Sequence, residues 1–426
     1  MCLEAPIHSD LFVRFRNHNF YPCTFGEGPT LTMASTSLLR SRRCIKFWHL
    51  PRNFCSTTKT LRPSSPQLTN NHELSAIVNS FPTTGLEYAF GYGSGVLKQQ
   101  SSSAGMVDII LAVDDPMSWH TRNIRSHPHH YSGFARVGGA SFIHCMQNLG
   151  ALIYFHPFVD MDITMNNTDD TDLIKSPIKI QREIKYGVVS TDDLIQDLRF
   201  WKHLYLAGRM HKPTVEIDFI SSSQEHQEKN MYDQVSLHRR DEVAEAQQHN
   251  LLAAVSASIL LHGGRGSNKT SLPIGQLYNT IAGISYAGDI RMKTGAEDPN
   301  KVRKLVETPG MQALWDNMYL PIIAEMEKLG FLTKNDAVLE LDLNDIAMRK
   351  QLIRNLPKRL QLDEIVHVTS NDEESINQGT ERLRKELANI VAPAAKSQSM
   401  KGFFTAGVSK SFKYAMAKFA KGRLKK

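Results

Sequence analysis

Apolar residues recur along the middle of the chain with two different periods, and these periods predict alternating helices and strands. Residues 70–82, NNHELSAIVNSFP, have apolar side chains at helical spacing and end in a proline, which predicts a short helix. Residues 86–95, LEYAFGYGSG, predict a strand that runs into a glycine turn. Residues 106–113, MVDIILAV, predict a second strand, rich in β-branched residues.

The next segments continue the alternation. Residues 140–150 predict a helix, and residues 151–159 predict a strand. A further strand leads to Ser190 or Thr191, either of which suits a helix cap because carboxylates follow it in the first turn. This helix is expected to run to about Leu206.

The pattern also predicts how the chain is divided. The alternation indicates an α/β or α+β domain over residues 72–220. Composition turns polar over residues 221–249, which we interpret as a loop or an insertion. Apolar helical patterns resume over residues 250–350 and predict a smaller, mainly helical domain, followed by a C-terminal region at residues 351–426.

Charge is distributed unevenly, and the distribution argues against one class of partner. Of the net charge of +7, residues 1–72 carry +6 and residues 387–426 carry +9, so the body between them carries −8. We therefore expect no nucleic-acid partner, because a nucleic-acid-binding core presents basic residues across a folded face. Four of the five cysteines lie within the first 55 residues, which argues against a disulfide scaffold or a cysteine-rich zinc site in the body.

The amino-terminal residues 1–71 have the composition of a mitochondrial targeting segment and are expected to be disordered. They are rich in arginine and hydroxyl residues, they lack acids from Pro29 onwards, and Met33 is an alternative start. A disordered basic tail without a targeting role is the other interpretation. No apolar run reaches the ~20 residues that span a bilayer, so any membrane contact is expected at the surface.

The carboxyl-terminal residues 404–424 predict a basic amphipathic helix. On a helical wheel, apolar residues including Phe412 and Phe419 gather on one side, and lysines including Lys410 and Lys413 occupy the other. This pattern is typical of a helix that lies in an anionic lipid interface. A helix docked on the protein's own core, with a solvated lysine face, is the alternative.

The glycine turn is the first candidate for chemistry. Tyr92-Gly93-Ser94-Gly95 lacks the spacing of a dinucleotide fingerprint and the lysine of a P-loop. Asp108 follows Ser94 by fourteen residues, on the second predicted strand. Backbone amides of such a turn can hold a triphosphate, and a nearby strand carboxylate can hold Mg²⁺ at the α-phosphate. A purely structural hairpin is the alternative.

The turn and Asp108 together resemble the signature of polymerase-β-like nucleotidyltransferases. A more specific resemblance is carried, in order, by FGYGSGV, MVDIILAVDDPMSWHTRN, HYS, IKYGVVSTDDLIQDL, LYLAGRMHKP, ISYAGDIRM and KGFFTAGVSKS. Over residues 87–412 the chain is similar to mitochondrial phosphatidate cytidylyltransferases, also called translocator assembly and maintenance proteins. The resemblance implies an α+β fold, with a nucleotidyltransferase-like mixed sheet and flanking helices, then a smaller mainly helical domain and a C-terminal amphipathic helix.

The resemblance also implies an activity. Family members transfer CMP from CTP to phosphatidic acid, giving CDP-diacylglycerol and pyrophosphate for mitochondrial phospholipid (cardiolipin) synthesis. The implied cofactor is Mg²⁺, and the implied partners are CTP, phosphatidic acid and an anionic membrane surface. The implied location is peripheral, on the matrix side of the mitochondrial inner membrane.

Carried over to this sequence, the resemblance assigns roles to individual residues. Gly93 and Ser94 would grip the CTP phosphates, Asp108 would bind Mg²⁺, and Asp108 and Lys185 would act in catalysis. The residues implied for the nucleotide pocket are His120, Asn123, His130, Tyr131, Ser132 and Tyr186. The residues implied for contact with lipid or membrane are Arg291, Lys401, Lys410, Phe412, Lys413 and Phe419.

Two of these regions have alternative interpretations. Arg291 could form an ordinary ion pair with Asp289 instead of a contact with a lipid phosphate. The four histidines between His120 and His130 could suggest zinc, but their spacing lacks a fixed ligand pairing, so zinc is disfavoured.

The chain departs from the superfamily pattern at the second carboxylate. That residue usually follows the first by two positions on the same strand face, and Ile110 stands there. Asp114 shares this face but lies about 20 Å along the strand, too far to share one ion. Asp160, Asp162 and Glu183 are therefore the candidates for a second ligand.

Two other classes of function compete with the enzyme. One is a noncatalytic assembly factor for the mitochondrial protein import machinery, which keeps the nucleotide pocket as a relic of the fold. The other is a soluble nucleotidyltransferase that acts on protein or RNA. The presence of Gly93, Ser94 and Asp108 favours catalysis over the first, and the acidic body with its basic tail argues against the second.

Overall fold

The structure is a computed structural model that describes residues 71–97, 105–165, 178–220, 226–262, 270–293, 298, 300–361 and 373–406. Its strands are β1 Leu86–Tyr92, β2 Val107–Val113, β3 Tyr154–Met165, β4 Ile178–Ser190, β5 Thr214–Glu216, β6 Thr270–Pro273, β7 Thr333–Asn335 and β8 Val338–Leu341. Its α-helices are α1 Asn71–Asn79, α2 Pro116–Ser126, α3 Gly133–Gln147, α4 Thr191–Phe200, α5 Ala207–Met210, α6 His226–His262, α7 Ile274–Ile284, α8 Ile290–Lys293, α9 Lys301–Glu307, α10 Met311–Lys328, α11 Ile346–Arg354 and α12 Glu373–Ala406. The predicted targeting segment, apart from Asn71, and residues 407–424 of the predicted amphipathic helix lie outside the described residues.

Five strands form a mixed sheet in the order β3-β4-β2-β1-β5. β2 and β4 run parallel, and the other neighbouring strands run antiparallel. β2 is an almost continuous apolar run because it is buried on both faces of the sheet. Helices flank this sheet, so the predicted α+β fold with a mixed sheet is confirmed.

The two faces of the sheet pack against different parts of the chain, since successive strand residues point to opposite faces. The front face includes Tyr88, Phe90, Ile110 and Val189. It forms one apolar cluster with residues of α4, α6, α7, α10, α11 and α12. The back face includes Ile109, Leu111, Tyr186 and Val188. It packs against α1 and against Trp119 of α2.

The segment interpreted as a polar loop or an insertion is helical from His226 onwards, so the loop alternative is wrong there. Helix α6 runs without interruption from His226 to His262. Its buried positions recur at helical spacing, at Val243, Ala246, Asn250 and Ala254, and the polar side chains lie between them. Alanine and asparagine add little hydrophobicity, so this narrow buried stripe gives a weak signal in the sequence.

Two shorter features also differ from the sequence prediction. Helix α4 begins at the expected Ser190 cap, whose Oγ accepts a hydrogen bond from the amide of Asp193 at 3.1 Å, but it ends at Phe200 instead of about Leu206. Strands β6, β8 and β7 form a small antiparallel sheet within the region predicted as mainly helical. These strands have three or four residues each, which is too short to show a period of two.

Candidate active site

The candidate active site begins with a row of side chains across the sheet. Asp108 of β2 lies opposite Tyr92 of β1 on one side and Lys185 of β4 on the other. Residues in one cross-strand row share a face, so all three point to the front. The Nζ of Lys185 is 3.4 Å from Oδ1 of Asp108, and their side chains remain 29% and 20% exposed. The pair is therefore open to a substrate.

The glycine turn lies directly beside this pair. Gly93 has a left-handed φ of 78°, and a methyl group on its Cα would lie 3.5 Å from Oδ2 of Asp108. The amides of Val96 and Leu97 close the turn by donating to the carbonyl of Gly93, while Ser94 is exposed. Glycine suits position 93 because other residues rarely adopt this φ, and its lack of a side chain leaves the backbone accessible next to the carboxylate.

Two further basic residues lie nearby, Arg209 over the ring that also contacts Lys185 and Lys212 within electrostatic reach of Arg209, and the sequence analysis assigned a role to neither. Arg209 of α5 has its guanidinium carbon 3.9 Å from the ring centroid of Tyr205 and 5.4 Å from that of Tyr92. It also lies 5.6 Å from the ring of Phe155, over which Nζ of Lys185 sits at 4.9 Å. Aromatic rings therefore hold the charges of Arg209 and Lys185 close together.

Lys212 extends the group of cations away from the sheet. Its Nζ donates to the carbonyl of Gly208 and to Oγ of Ser285, the latter at 2.7 Å, and lies 5.1 Å from the ring of Tyr286. Burial and the charges of Arg209 and Lys301 lower the pKa of Lys212 well below its usual range. A bound anion would reverse this effect, because it would stabilise the protonated ammonium.

A buried carboxylate fixes the segment that carries these cations. Asp197 of α4 is 3% exposed and accepts hydrogen bonds from four backbone amides, three in the loop between α4 and α5 and the fourth at Ala207, the first residue of α5. Asn250 of α6 adds a second anchor, since its Oδ1 accepts from Trp201 Nε1 and pairs with His211 Nε2, both at 2.8 Å. The early end of α4 follows from this arrangement, because the chain turns back around Asp197.

The electrostatic balance of the front face favours an anion. Among the described residues, neither Arg209 nor Lys212 forms an ion pair with a carboxylate. Burial disfavours the charge of Lys185, whereas Tyr92 and Asp108 favour it, and the net effect raises its pKa above the usual value. Lys185 and Arg209 near one carboxylate leave a local excess of positive charge, and a bound phosphate would add the protonated ammonium of Lys212 to it.

The residues implied for the nucleotide pocket lie mostly elsewhere. Tyr186 follows Lys185 on β4 and therefore points to the back face. Its hydroxyl accepts from Nδ2 of Asn123 at 3.0 Å and pairs with Nδ1 of His130 at 3.0 Å. Tyr131 joins the same network through Asn123, whose Nδ2 donates to the Tyr131 hydroxyl at 2.9 Å.

His120 and Ser132 are the two remaining residues implied for the nucleotide pocket. His120 is fully buried and its Nδ1 lies 2.9 Å from the Tyr131 hydroxyl. Ser132 caps α3, with its Oγ accepting from the amide of Ala135 at 3.4 Å. The structure thus gathers His120, Asn123, His130, Tyr131 and Tyr186 into one buried network behind the sheet and does not bring them to Asp108, while Ser132 lies partly exposed at the start of α3.

The candidate second carboxylates lie on the front face. Asp160 of β3 pairs with Glu183 of β4, and Asp162 pairs with Gln181. Glu183 precedes Lys185 by two residues, which places its Cα about 8 Å from that of Asp108 by strand geometry. Within the described ranges, no group of three or more His, Cys, Asp or Glu side chains could hold a metal ion. Ile110, which stands at the usual position of the second carboxylate, is fully buried in the apolar cluster of the front face.

The lipid-contact candidates are separated along the chain. Arg291 donates to Asp289 with Nη2 2.6 Å from Oδ2, so the alternative ion pair exists. Lys401 of α12 is 4% exposed and donates to the carbonyl of Gln147 at 3.0 Å, and burial lowers its pKa to about 8. The remaining candidates, Lys410, Phe412, Lys413 and Phe419, lie outside the described residues.

Comparison with known proteins decides the family. A family model described as mitochondrial phosphatidate cytidylyltransferase matches residues 74–421. The chain belongs to this family. The mitochondrial phosphatidate cytidylyltransferase of Bos taurus is 34% identical over 362 residues, which cover 81% of this chain and 92% of the relative. The resemblance carried by the motifs is therefore confirmed.

Fungal members of the cytidylyltransferase family agree. The protein of the same name from Schizosaccharomyces pombe is 30% identical over 386 residues, covering 85% of this chain and 86% of the relative. That of Saccharomyces cerevisiae is 31% identical over 378 residues, covering 88% of this chain and 75% of the relative.

In the part of the chain that the structure describes, no helix combines the length and the apolar character needed to cross a bilayer.

Proposed function

We propose that the chain transfers CMP from CTP to phosphatidic acid, giving CDP-diacylglycerol and pyrophosphate. The observation that supports this most directly is the pair of Asp108 and Lys185 beside the Gly93 turn. It occurs in a chain whose relatives are named for this reaction. The activity makes the protein a nucleotidyltransferase, and the relatives' names associate it with mitochondria.

The reaction is a displacement at phosphorus. An oxygen of the phosphatidate phosphate forms a bond to the α-phosphorus of CTP, while the bond from that phosphorus to the pyrophosphate oxygen breaks. Catalysis of such a transfer depends on positioning and on charge stabilisation. Lys185 and Arg209 would stabilise charge at the transferred phosphate, and Lys212 would hold a neighbouring phosphate in its protonated form. Gly93 and Ser94 would bind the nucleotide phosphates through the turn.

The donor set suits magnesium. Mg²⁺ commonly takes one or two carboxylates together with substrate phosphates and water. Asp108 would be the first ligand, and Glu183 or Asp160 the candidate for the second, since both lie on the same face. When bound, the ion would stabilise negative charge at the α-phosphate.

The buried network behind the sheet has a positioning role in this proposal. Asn123 and His130 hold the hydroxyl of Tyr186, and Tyr186 is the neighbour of Lys185 on β4. The network would therefore fix the strand that presents Lys185, and His120, Tyr131 and Ser132 would support it without touching CTP.

The proposal also places the enzyme peripherally on the matrix side of the mitochondrial inner membrane, where its product would serve cardiolipin synthesis. The relatives' mitochondrial names and the net charge of +9 on residues 387–426 support this location. Phosphatidic acid resides in a bilayer, so a basic surface near the site would aid access to it.

An assay of CMP transfer tests the proposal. Purified protein is incubated with radiolabelled CTP, Mg²⁺ and phosphatidate vesicles, and labelled lipid is measured. Asp108→Ala should lower the rate by at least about a hundredfold, because a charge-stabilising group is lost from the site. Asp218→Ala is the matched control, since that carboxylate is 91% exposed and lies beyond the far end of β5. Equal turnover in wild type and Asp108→Ala, with unchanged unfolding, would remove Asp108 from the mechanism.

A further inference from the structure

We propose that the exposed surface of α3 is a membrane contact, which meets an anionic lipid bilayer. The α3 surface is defined by the exposed residues Phe134, Arg136 and Val137, which precede a kink in the helix at Gly139, and Ser141 and Cys145, which follow it. The proposal concerns lipid contact, and it does not depend on the transfer reaction.

Large apolar side chains on the α3 surface face solvent. Val137 is 92% exposed and Phe134 is 67% exposed, and Leu149, just after the helix, is 51% exposed. Only Arg136 is charged among the exposed residues of α3, and none is acidic. A membrane interface suits this composition, because apolar side chains can enter the acyl region while an arginine remains near the headgroups.

The charge around α3 differs from that of the rest of the body. The chain has no Asp or Glu from Pro116 to Val159, although the body as a whole carries a net charge of −8. Arg125 and Arg136 are exposed within this acid-free stretch. An anionic bilayer is repelled by acidic surfaces, so this acid-free stretch opposes its approach less than the acidic remainder of the body does.

The end of α12 connects the α3 surface to the basic tail. Lys401 of α12 donates to the carbonyl of Gln147, the last residue of α3. Ser397 packs so closely on Gly150 that a methyl group there would lie 2.3 Å from its Oγ. Residues 407–426, which follow α12 in the sequence, contain seven Lys or Arg and no acid. The basic segment therefore starts within a few residues of a contact with α3.

A lipid bilayer fits these observations better than a protein partner. The α3 surface is small, and Met400 at 59% exposure adds only one more apolar side chain on the α12 side. Stable protein interfaces need a larger buried area with a closely packed core. Membrane contacts are built from a few apolar side chains combined with basic residues, and both are present here.

Vesicle binding by the full chain tests the proposal. Phosphatidylcholine vesicles with and without phosphatidate are titrated against wild type and the F134S/V137S variant. We expect the variant to bind the phosphatidate vesicles at least about tenfold more weakly, because two exposed apolar side chains can no longer enter the lipid. The loss of affinity in F134S/V137S should persist at high salt, because an apolar contact is not screened. The affinity contributed by residues 407–426, measured by deleting them, should decrease as the salt concentration rises. Leu237→Ser on α6, at 55% exposure, is the matched control and should bind like wild type.

A probe on Cys145 reports the same contact directly. The other four cysteines lie at positions 2 to 55, so replacing them by serine leaves Cys145 as the single site for an environment-sensitive fluorophore. Its emission should shift to the blue with phosphatidate vesicles. Unshifted emission and wild-type binding by F134S/V137S would overturn the proposal and assign the α3 surface to a protein partner.

The activity readout separates this proposal from the proposed function. F134S/V137S should retain wild-type CMP transfer to a short-chain, water-soluble phosphatidate and lose transfer to vesicles. If wild type transfers CMP to neither substrate, the proposed function fails, while the binding experiment still decides the lipid contact.

Discussion

The carboxylate of Asp197 offers a sharp test of how the site is held in place. Its two oxygens accept hydrogen bonds from the amides of His203 and Leu204 at 2.7 and 2.9 Å and of Leu206 and Ala207 at 2.8 and 3.0 Å. Asp197→Asn keeps the shape but replaces one oxygen with an NH₂ donor. Two of the four amides would then face a donor and lose their acceptor.

The magnitude follows from the number of amides affected. A buried polar group without a partner costs about 1–3 kcal/mol, so two of them predict a loss of about 2–6 kcal/mol in the free energy of unfolding. This is a large part of the roughly 5–15 kcal/mol that stabilises a typical domain. The loop that leads to Arg209 should be displaced as well, so CMP transfer should fall even where the variant stays folded.

Urea unfolding followed by tryptophan fluorescence measures this loss, because Trp201 is fully buried and bonded to Asn250 beside the loop. Asp192→Asn on the same helix is the matched control. Its side chain is 76% exposed, so its ion pair with Arg239 should contribute no more than about 1 kcal/mol. Equal urea midpoints for Asp197→Asn and Asp192→Asn would refute the reasoning.

Two further predictions concern charge. Arg209→Met should lower CMP transfer at least about a hundredfold, because it removes a phosphate-binding cation. The free energy of unfolding should fall by about 1–3 kcal/mol, since the guanidinium packs on Tyr205 and donates to its carbonyl. Arg240→Met, which removes a cation over Phe219, is the control, and unimpaired transfer by Arg209→Met would contradict the assignment. Acid should destabilise the fold, because burial lowers the pKa of His120 and of His211 to about 3, against about 6.5 in the unfolded chain. The contribution of these two neutral histidines to the free energy of unfolding is therefore fully present above about pH 6.5. It is lost as pH falls towards 3, by up to about 3 kcal/mol per pH unit for the two groups together. A free energy of unfolding that stays constant from pH 6.5 to 5 would argue against neutral, buried histidines.

Local signals in the sequence were sufficient for four strands of the main sheet and for the positions of two candidate site features. The aliphatic run of β2 and the glycines after β1 have one favourable local structure each, so the positions of Asp108 and the Gly93 turn could be predicted. Helix α6 could not, because its buried stripe is built from small and polar residues whose burial depends on neighbouring elements.

Local signals could not predict the positions of the cations Arg209 and Lys212 either. Arg209 and Lys212 lie on a short helix and the turn after it, and no periodic signal marks them. Their position depends on Asp197 and Asn250, which come from two separate helices. For His120, Asn123, His130, Tyr131 and Ser132 a motif suggested the nucleotide pocket; that role stays a prediction, and the structure joins the first four of them to the network behind the sheet.

By itself, the sequence determined the first four strands, the turn, the acidic body with its basic ends, and the family, because these depend on local composition and on the order of motifs. Only the tertiary structure decided which charges meet. Lys185 and Tyr186 are adjacent in sequence, yet the pleat of β4 sends one to the cations at the front and the other to the histidines at the back. Pairing between strands and packing between helices are long-range contacts, and no local pattern specifies them.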